Sequence, residues 1–162
     1  MTFYRRNLPH LQRDDKPHFI IFVTRKRSVL PPWARDIVLG CCMHDHGKKY
    51  DLYVAVVMPD HVHLVLTPQV ELARNRVVPL PEIMKAIKSS SAHFINSQSG
   101  VHGAIWQEES FDRVLRCSEK LDEKIAYILN NPVRGGMVAD WREYRWIWYQ
   151  ERQNPYAPPP PT

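Results

Sequence analysis

Two apolar runs joined by three residues constrain the fold of this chain most. Leu52-Tyr53-Val54-Ala55-Val56-Val57 and His61-Val62-His63-Leu64-Val65-Leu66 flank Met58-Pro59-Asp60. Both runs are short and rich in β-branched residues, as strands are. A connection this short predicts an antiparallel hairpin. Side chains alternate along a strand, so His61 and His63 share one face and Val62, Leu64 and Leu66 share the other. Two imidazoles about 6–7 Å apart along a strand can grip one cation or one phosphate. The same pattern fits two ordinary histidines on a half-buried strand, and the tripeptide alone does not separate these readings.

The remaining elements are placed around that hairpin. Residues 1–17 read as a polar, basic N-terminal arm, and His18-Phe19-Ile20-Ile21-Phe22-Val23-Thr24 as a first strand. Pro31-Pro32 opens a helix running to about Gly47. Residues 68–79 read as a loop, and Pro81 to about Asn96 as a helix with Ile83, Ile87 and Phe94 as candidate core positions. A fourth strand is expected around Arg113-Val114-Leu115-Arg116. Ser118 is the candidate N-cap of a helix that ends before Pro132. Strand–helix–strand–strand–helix–strand–helix is not the alternation of a doubly wound sheet. It predicts an α+β, ferredoxin-like sandwich: an antiparallel sheet with helices mainly on one face. One domain spans residues 18–150, and residues 151–162 form an extended, proline-rich C-terminal tail.

Composition narrows the class only a little. The 22 Lys+Arg against 17 Asp+Glu leave a net charge of +5, which favours a polyanionic partner such as nucleic acid. No apolar run approaches a membrane span, and the N-terminus lacks the apolar core of a signal peptide. Cys41, Cys42 and Cys117 suggest neither a disulfide framework nor a metal knuckle, so a reducing cytoplasm is the expected location. His44, His46, His93 and His102 read as ordinary surface or core histidines, and Trp141, Trp146 and Trp148 as core or tail-docking residues.

The helix after Ser118 carries a second informative pattern. Leu121, Ile125, Ile128 and Leu129 fall at i, i+4, i+7 and i+8 and form an apolar stripe. Tyr127 lies well off that stripe, with Asn131 one turn further on and Lys120 and Lys124 projecting on the same side. Taken alone, a surface tyrosine packed on a neighbour is the commoner explanation of such a position. The conjunction of a two-histidine strand with a helix presenting a phenol and an amide favours chemistry.

That conjunction resembles the HUH single-tyrosine transposases, and among them most closely the REP-associated tyrosine transposases. The matching stretches are Val56–Leu64, Ile83–Ala92, Trp106–Arg113 and Tyr127–Arg134, in the family's order. One departure is Asp14-Asp15-Lys16-Pro17, where many REP-associated members carry a glycine pair. The resemblance implies a ferredoxin-like core, Tyr127 as nucleophile, and His61, His63 and Asn131 as ligands of a divalent metal, Mg²⁺ or Mn²⁺. It implies cleavage and transfer of single-stranded or hairpin DNA, with palindromic repeats as substrate and a cytoplasmic, nucleoid-associated protein.

These residue types suit the reaction. A tyrosine oxygen that displaces a 3′-hydroxyl conserves the phosphodiester energy in a 5′-phosphotyrosine, so rejoining needs no ATP. Neutral ligands leave a cation's full charge for the phosphate. A phenol has an unperturbed pKa near 10, so a tyrosine nucleophile needs help, from the metal's field or from Lys124. Arg5, Arg6, Lys85, Lys88, Arg113, Arg116, Lys124 and Arg134 are the candidate DNA contacts. Among them Lys85-Ala86-Ile87-Lys88-Ser89-Ser90-Ser91 is the best phosphate-binding stretch, since serines are poor mid-helix residues unless needed. A DNA-hairpin binder without turnover and a metal-dependent phosphodiesterase are the competing readings, and either a monomer or a homodimer fits.

Overall fold

The computed structural model describes residues 16–116 and 118–151, without the side chains of Ser118 and Glu119. Most of the expected arm with Arg5 and Arg6, Cys117, and the tail beyond residue 151 lie outside the described residues. The elements follow in the order β1 (His18–Val23), α1 (Pro32–His44), β2 (Tyr50–Val57), β3 (His61–Pro68), β4 (Val70–Glu71), β5 (Arg76–Val77), α2 (Leu80–Ser99), β6 (Phe111–Val114), α3 (Ser118–Leu129), α4 (Asn131–Arg134) and β7 (Ile147–Tyr149). The five-stranded sheet has the order β6-β1-β3-β2-β7, with every pairing antiparallel. This is the expected α+β, ferredoxin-like arrangement with one further strand at the β2 edge.

Local chemistry explains the element ends. Pro32 occupies the first turn of α1, where a missing N–H costs nothing. Helix α2 stops at Gly100, whose φ of 71° lets its N–H close on the Asn96 carbonyl. Pro132 cannot donate, so the tyrosine helix breaks at Asn130 and resumes as the short α4.

The sheet separates two cores. Ile20, Phe22, Val62, Leu64 and Leu66 pack with Val38 of α1 and with Ile83 and Ile87 of α2. Phe19, Val54, Val56 and Val65 pack on the opposite face with Leu121, Ile125, Ile128 and Leu129 of α3. The hydrophobic stripe read from the tyrosine helix is thus the stripe that docks. The register of β2 slips between Leu52 and Val54, and this bulge keeps Leu52 and Ala55 on the same side.

Four expectations need correction. The fourth strand lies two residues earlier than expected, because Phe111 to Val114 pairs with His18 to Ile21. The 68–79 loop contains the small β4–β5 ladder. Ile147–Tyr149 adds an edge strand that its mixed composition did not reveal. Phe94 is 53% exposed, and Ile95 takes the core position one residue on. Among the described residues no helix is long and apolar enough to cross a membrane.

Candidate active site

The histidine pair sits on the α3 side of the sheet. Val23 is paired with His61 and Ile21 with His63, so both imidazoles emerge beside α3 while Val62 and Leu64 point to the helix pair. The ring centroids are 4.9 Å apart and the planes near perpendicular. His61 Nδ1 lies 2.7 Å from Asp60 Oδ1, and Asp60 Oδ2 forms an ion pair with Arg27, 3.0 Å from its Nε. Burial works to raise the Asp60 pKa, but the His61 hydrogen bond and the Arg27 charge outweigh it and hold the carboxyl below its ordinary value. An ionised carboxylate only accepts, so His61 Nδ1 carries a proton, and in the neutral imidazole Nε2 is the nitrogen with the lone pair.

His63 is more enclosed, at 7% exposure, and stacks on Phe19 at 6.0 Å. Its Nδ1 is buried with no hydrogen-bond partner. Burial first, then the charges of His61, Arg134 and Lys124, push its pKa down to about 3. His63 is therefore a neutral imidazole at neutral pH.

Tyr127 stands on α3 with half its surface exposed. Two cations lie against its ring: the Arg134 guanidinium at 3.8 Å and the Lys124 ammonium at 5.0 Å from the centroid. Lys124 also lies 4.4 Å from the Phe19 centroid, under which His63 stacks. Arg134 Nη2 donates to Asn131 Oδ1 at 3.0 Å, while Asn131 Nδ2 is buried without a partner. A Cβ at Gly135 would meet the Met58 methyl at 3.3 Å, so the short α4 is seated on the turn that leads into His61. Tyr127, Asn131, Lys124 and Arg134 are thereby gathered with His63 around one end of the α3 layer.

The donor set fits a small divalent cation. Among the described residues no three His, Cys, Asp or Glu side chains cluster. The His61 and His63 ring nitrogens and the Asn131 amide oxygen are the candidate donor atoms; His63 Nδ1 is buried without a partner, and Asn131 Oδ1 already accepts from Arg134. Such an incomplete set leaves coordination positions for phosphate oxygens, as Mg²⁺ and Mn²⁺ sites do. Lys124 and Arg134 repel a bare cation and attract a phosphate.

The remaining expected DNA contacts divide in two. Arg113 and Arg116 line a groove of about 870 Å³ with Lys124 and Tyr127. Lys85 is exposed on α2, across the sheet from the tyrosine. Lys88 is employed differently from expectation: its ammonium donates to the Gln107 carbonyl at 2.6 Å, the Glu108 carbonyl at 3.0 Å and Ser110 Oγ at 3.3 Å. With its three donors so engaged, it clamps the 107–110 segment rather than reaching outward. Ser91 is likewise buried, donating to the Ile87 carbonyl and accepting from Trp106 Nε1 at 2.9 Å. Sequence reasoning missed Asp60 and Arg27, although Asp60 directly precedes His61. It also missed Phe19 and Phe111, which no local pattern singles out.

Comparisons with known proteins bear on the family and the fold. The sequence matches the family described as IS200-like transposases over residues 12–131. No curated protein matches it. A solved REP-associated tyrosine transposase bound to a REP hairpin superposes with a TM-score of 0.67 at 20% identity, covering 91% of this chain and 82% of that one. A Deinococcus radiodurans R1 protein assigned as a candidate transposase gives a TM-score of 0.49 at 23% identity, over 81% of this chain and 97% of its own. The first of these carries the likeness in fold, and the family match, which spans most of the sequence, carries the assignment: the chain belongs to the IS200-like transposase family.

Proposed function

We propose that this protein cleaves and rejoins single-stranded or hairpin DNA through a 5′-phosphotyrosine on Tyr127, with a divalent ion held by His61, His63 and Asn131. The observation that carries the reading is the exposed Tyr127, with Lys124 and Arg134 against its ring and the charges of the same two residues reaching His63. The fold-level relative binds a REP hairpin, which makes a repetitive palindromic hairpin the substrate class to test first.

Tyr127 Oη attacks the scissile phosphorus and the P–O3′ bond breaks. The 3′-hydroxyl leaves with a proton, and the 5′ side stays on the tyrosine. A second 3′-hydroxyl then attacks the phosphotyrosine, restoring a phosphodiester and freeing Tyr127. When bound, the ion supplies Lewis-acid polarisation of the phosphate. Asp60 orients His61, holding its proton on Nδ1 so that Nε2 faces outward. Lys124 and Arg134 sit where negative charge collects on the phosphate oxygens during both displacements. Arg134 also steadies Asn131 through its amide oxygen.

The test is covalent capture. Labelled hairpins from palindromic repeats beside the gene are incubated with the protein and Mn²⁺ or Mg²⁺, then resolved under denaturing conditions. A protein–DNA adduct that disappears in Tyr127→Phe is the expected result. Cleavage that survives Tyr127→Phe would instead identify a phosphodiesterase using metal-activated water. Tight hairpin binding with no adduct under either metal would identify a binder without turnover.

A further inference from the structure

We propose that the groove between β6 and α3 is a single-strand channel, and that Phe111 is its base-stacking platform. This inference rests on the DNA-strand-transfer reading and names where the unpaired strand runs. The groove is lined by Arg113, Arg116, Lys120 and Lys124 together with Phe111 and Tyr127. Among the described residues Glu123 is the one carboxylate along its wall. Among the described residues none of the four cations makes an ion pair with a carboxylate, whereas Arg74, Arg76, Arg142 and Arg145 are all so paired. Lys124 is held below the ordinary lysine pKa by burial first and then by Arg113 and Arg134, as expected where cations crowd without counter-charge. A polyanion is the partner that relieves such crowding.

The aromatic ring decides which polyanion. Phe111 is 42% exposed, although it is a large apolar side chain on a sheet. Its ring meets Phe19 edge-on at 6.0 Å and leaves the rest of its surface to the groove. A duplex keeps its base faces stacked inside, and only an unpaired strand offers one to a protein ring. Backbone-tracking cations combined with an exposed ring are the recognition chemistry of single-stranded nucleic acid.

The register supplies the distance. Ile21 pairs with Phe111 on one side and with His63 on the other, so the three side chains form one row across the sheet. Two strand spacings put Phe111 about 10 Å from His63. That is about three stacked nucleotides at 3.4 Å each. The base on Phe111 therefore lies within a few nucleotides of the scissile phosphate, on one flank only.

Binding of oligothymidylate, which has no hairpin and no recognition sequence, tests this by fluorescence anisotropy. The expected result is a loss of about 5- to 100-fold for Phe111→Ala, with affinity retained in Phe111→Trp. Arg113→Gln reduces the slope of log K against log salt by about 0.7, and Lys48→Gln, far from the groove, does not. A 2-aminopurine scanned along the flank of a hairpin is quenched at one position near the cleavage site, and Phe111→Ala removes that quench. The proposal is overturned if Phe111→Ala binds like wild type, if Phe111→Trp fails as badly as Phe111→Ala, or if no flank position responds. Adduct formation separates the two ideas. A Tyr127-dependent adduct without any Phe111 effect removes the channel and keeps the transferase. Phe111-dependent binding without an adduct does the reverse.

Discussion

The two faces of the sheet are built from the same strands and are opposite in character. On the α1–α2 face Ile20, Phe22, Leu64 and Leu66 are almost fully buried, and two long helices close over them. On the α3 face a single twelve-residue helix covers part of the sheet. On that side β3 presents His61 and His63, and Lys124 and Arg134 lie against the ring of the exposed Tyr127. Strand β3 serves both, with Val62 and Leu64 on one side and the imidazoles on the other. The difference teaches that fold and chemistry are allotted to alternate residues of one strand, so substitutions one position apart should have unrelated consequences.

The sharpest test of that division is Tyr127→Phe. It should lower adduct formation by about 10³-fold or more, about 4 kcal/mol of barrier, with Tm unchanged within error. A large fall in Tm would mean that the α3 face is structural after all. Leu64→Ala on the dry face should act in the opposite sense. It should cost about 3 kcal/mol of stability in urea unfolding while the folded fraction still forms adduct.

Asp60→Ala probes the support of the metal-facing side. Losing the partner of His61 Nδ1 should weaken Mn²⁺ binding by about 10- to 100-fold in calorimetric titration. Since Lys124 and Arg134 oppose a lone cation, Mn²⁺ should also bind more tightly when hairpin DNA is present, and DNA more tightly with Mn²⁺, by the same factor. The smallest effect is on pH. The folded pKa of His63 is about 3 and its unfolded value near 6.5. Below pH 6.5 the unfolded chain binds a proton that the folded one refuses, so acid destabilises the fold. Between pH 7 and pH 5, with chelator present, wild type should lose about 1–2 kcal/mol more than His63→Asn.

Much of the architecture was legible because periodicity reports burial. The hairpin and the stripe of the tyrosine helix follow from side-chain alternation and helical phase. His61, His63, Tyr127 and Asn131 stand out in the sequence as a pattern, and in the structure the charges of Lys124 and Arg134, which lie against the Tyr127 ring, also reach His63. Long-range partnerships were not legible. Nothing in Lys88-Ser89-Ser90-Ser91 reveals that Lys88 ties down residues 107–110 or that Ser91 satisfies the Trp106 indole. Mid-helix polar residues meant for solvent and those meant for a buried hydrogen bond look alike in sequence. Phe111 and Phe94 reverse the usual rule, since both are large apolar residues left open to solvent. Edge strand β7 was missed because three residues carry too little periodicity to register.

Strand β6 is four residues long and closes one side of the sheet. Its outer backbone edge borders the same groove that holds Phe111 and Arg113. A second copy that extended the sheet by pairing with this edge would lie across the groove mouth. Self-association through β6 and loading of a nucleic-acid strand would then exclude each other. A copy that paired with the β7 edge instead would sit at the opposite side of the sheet from that groove.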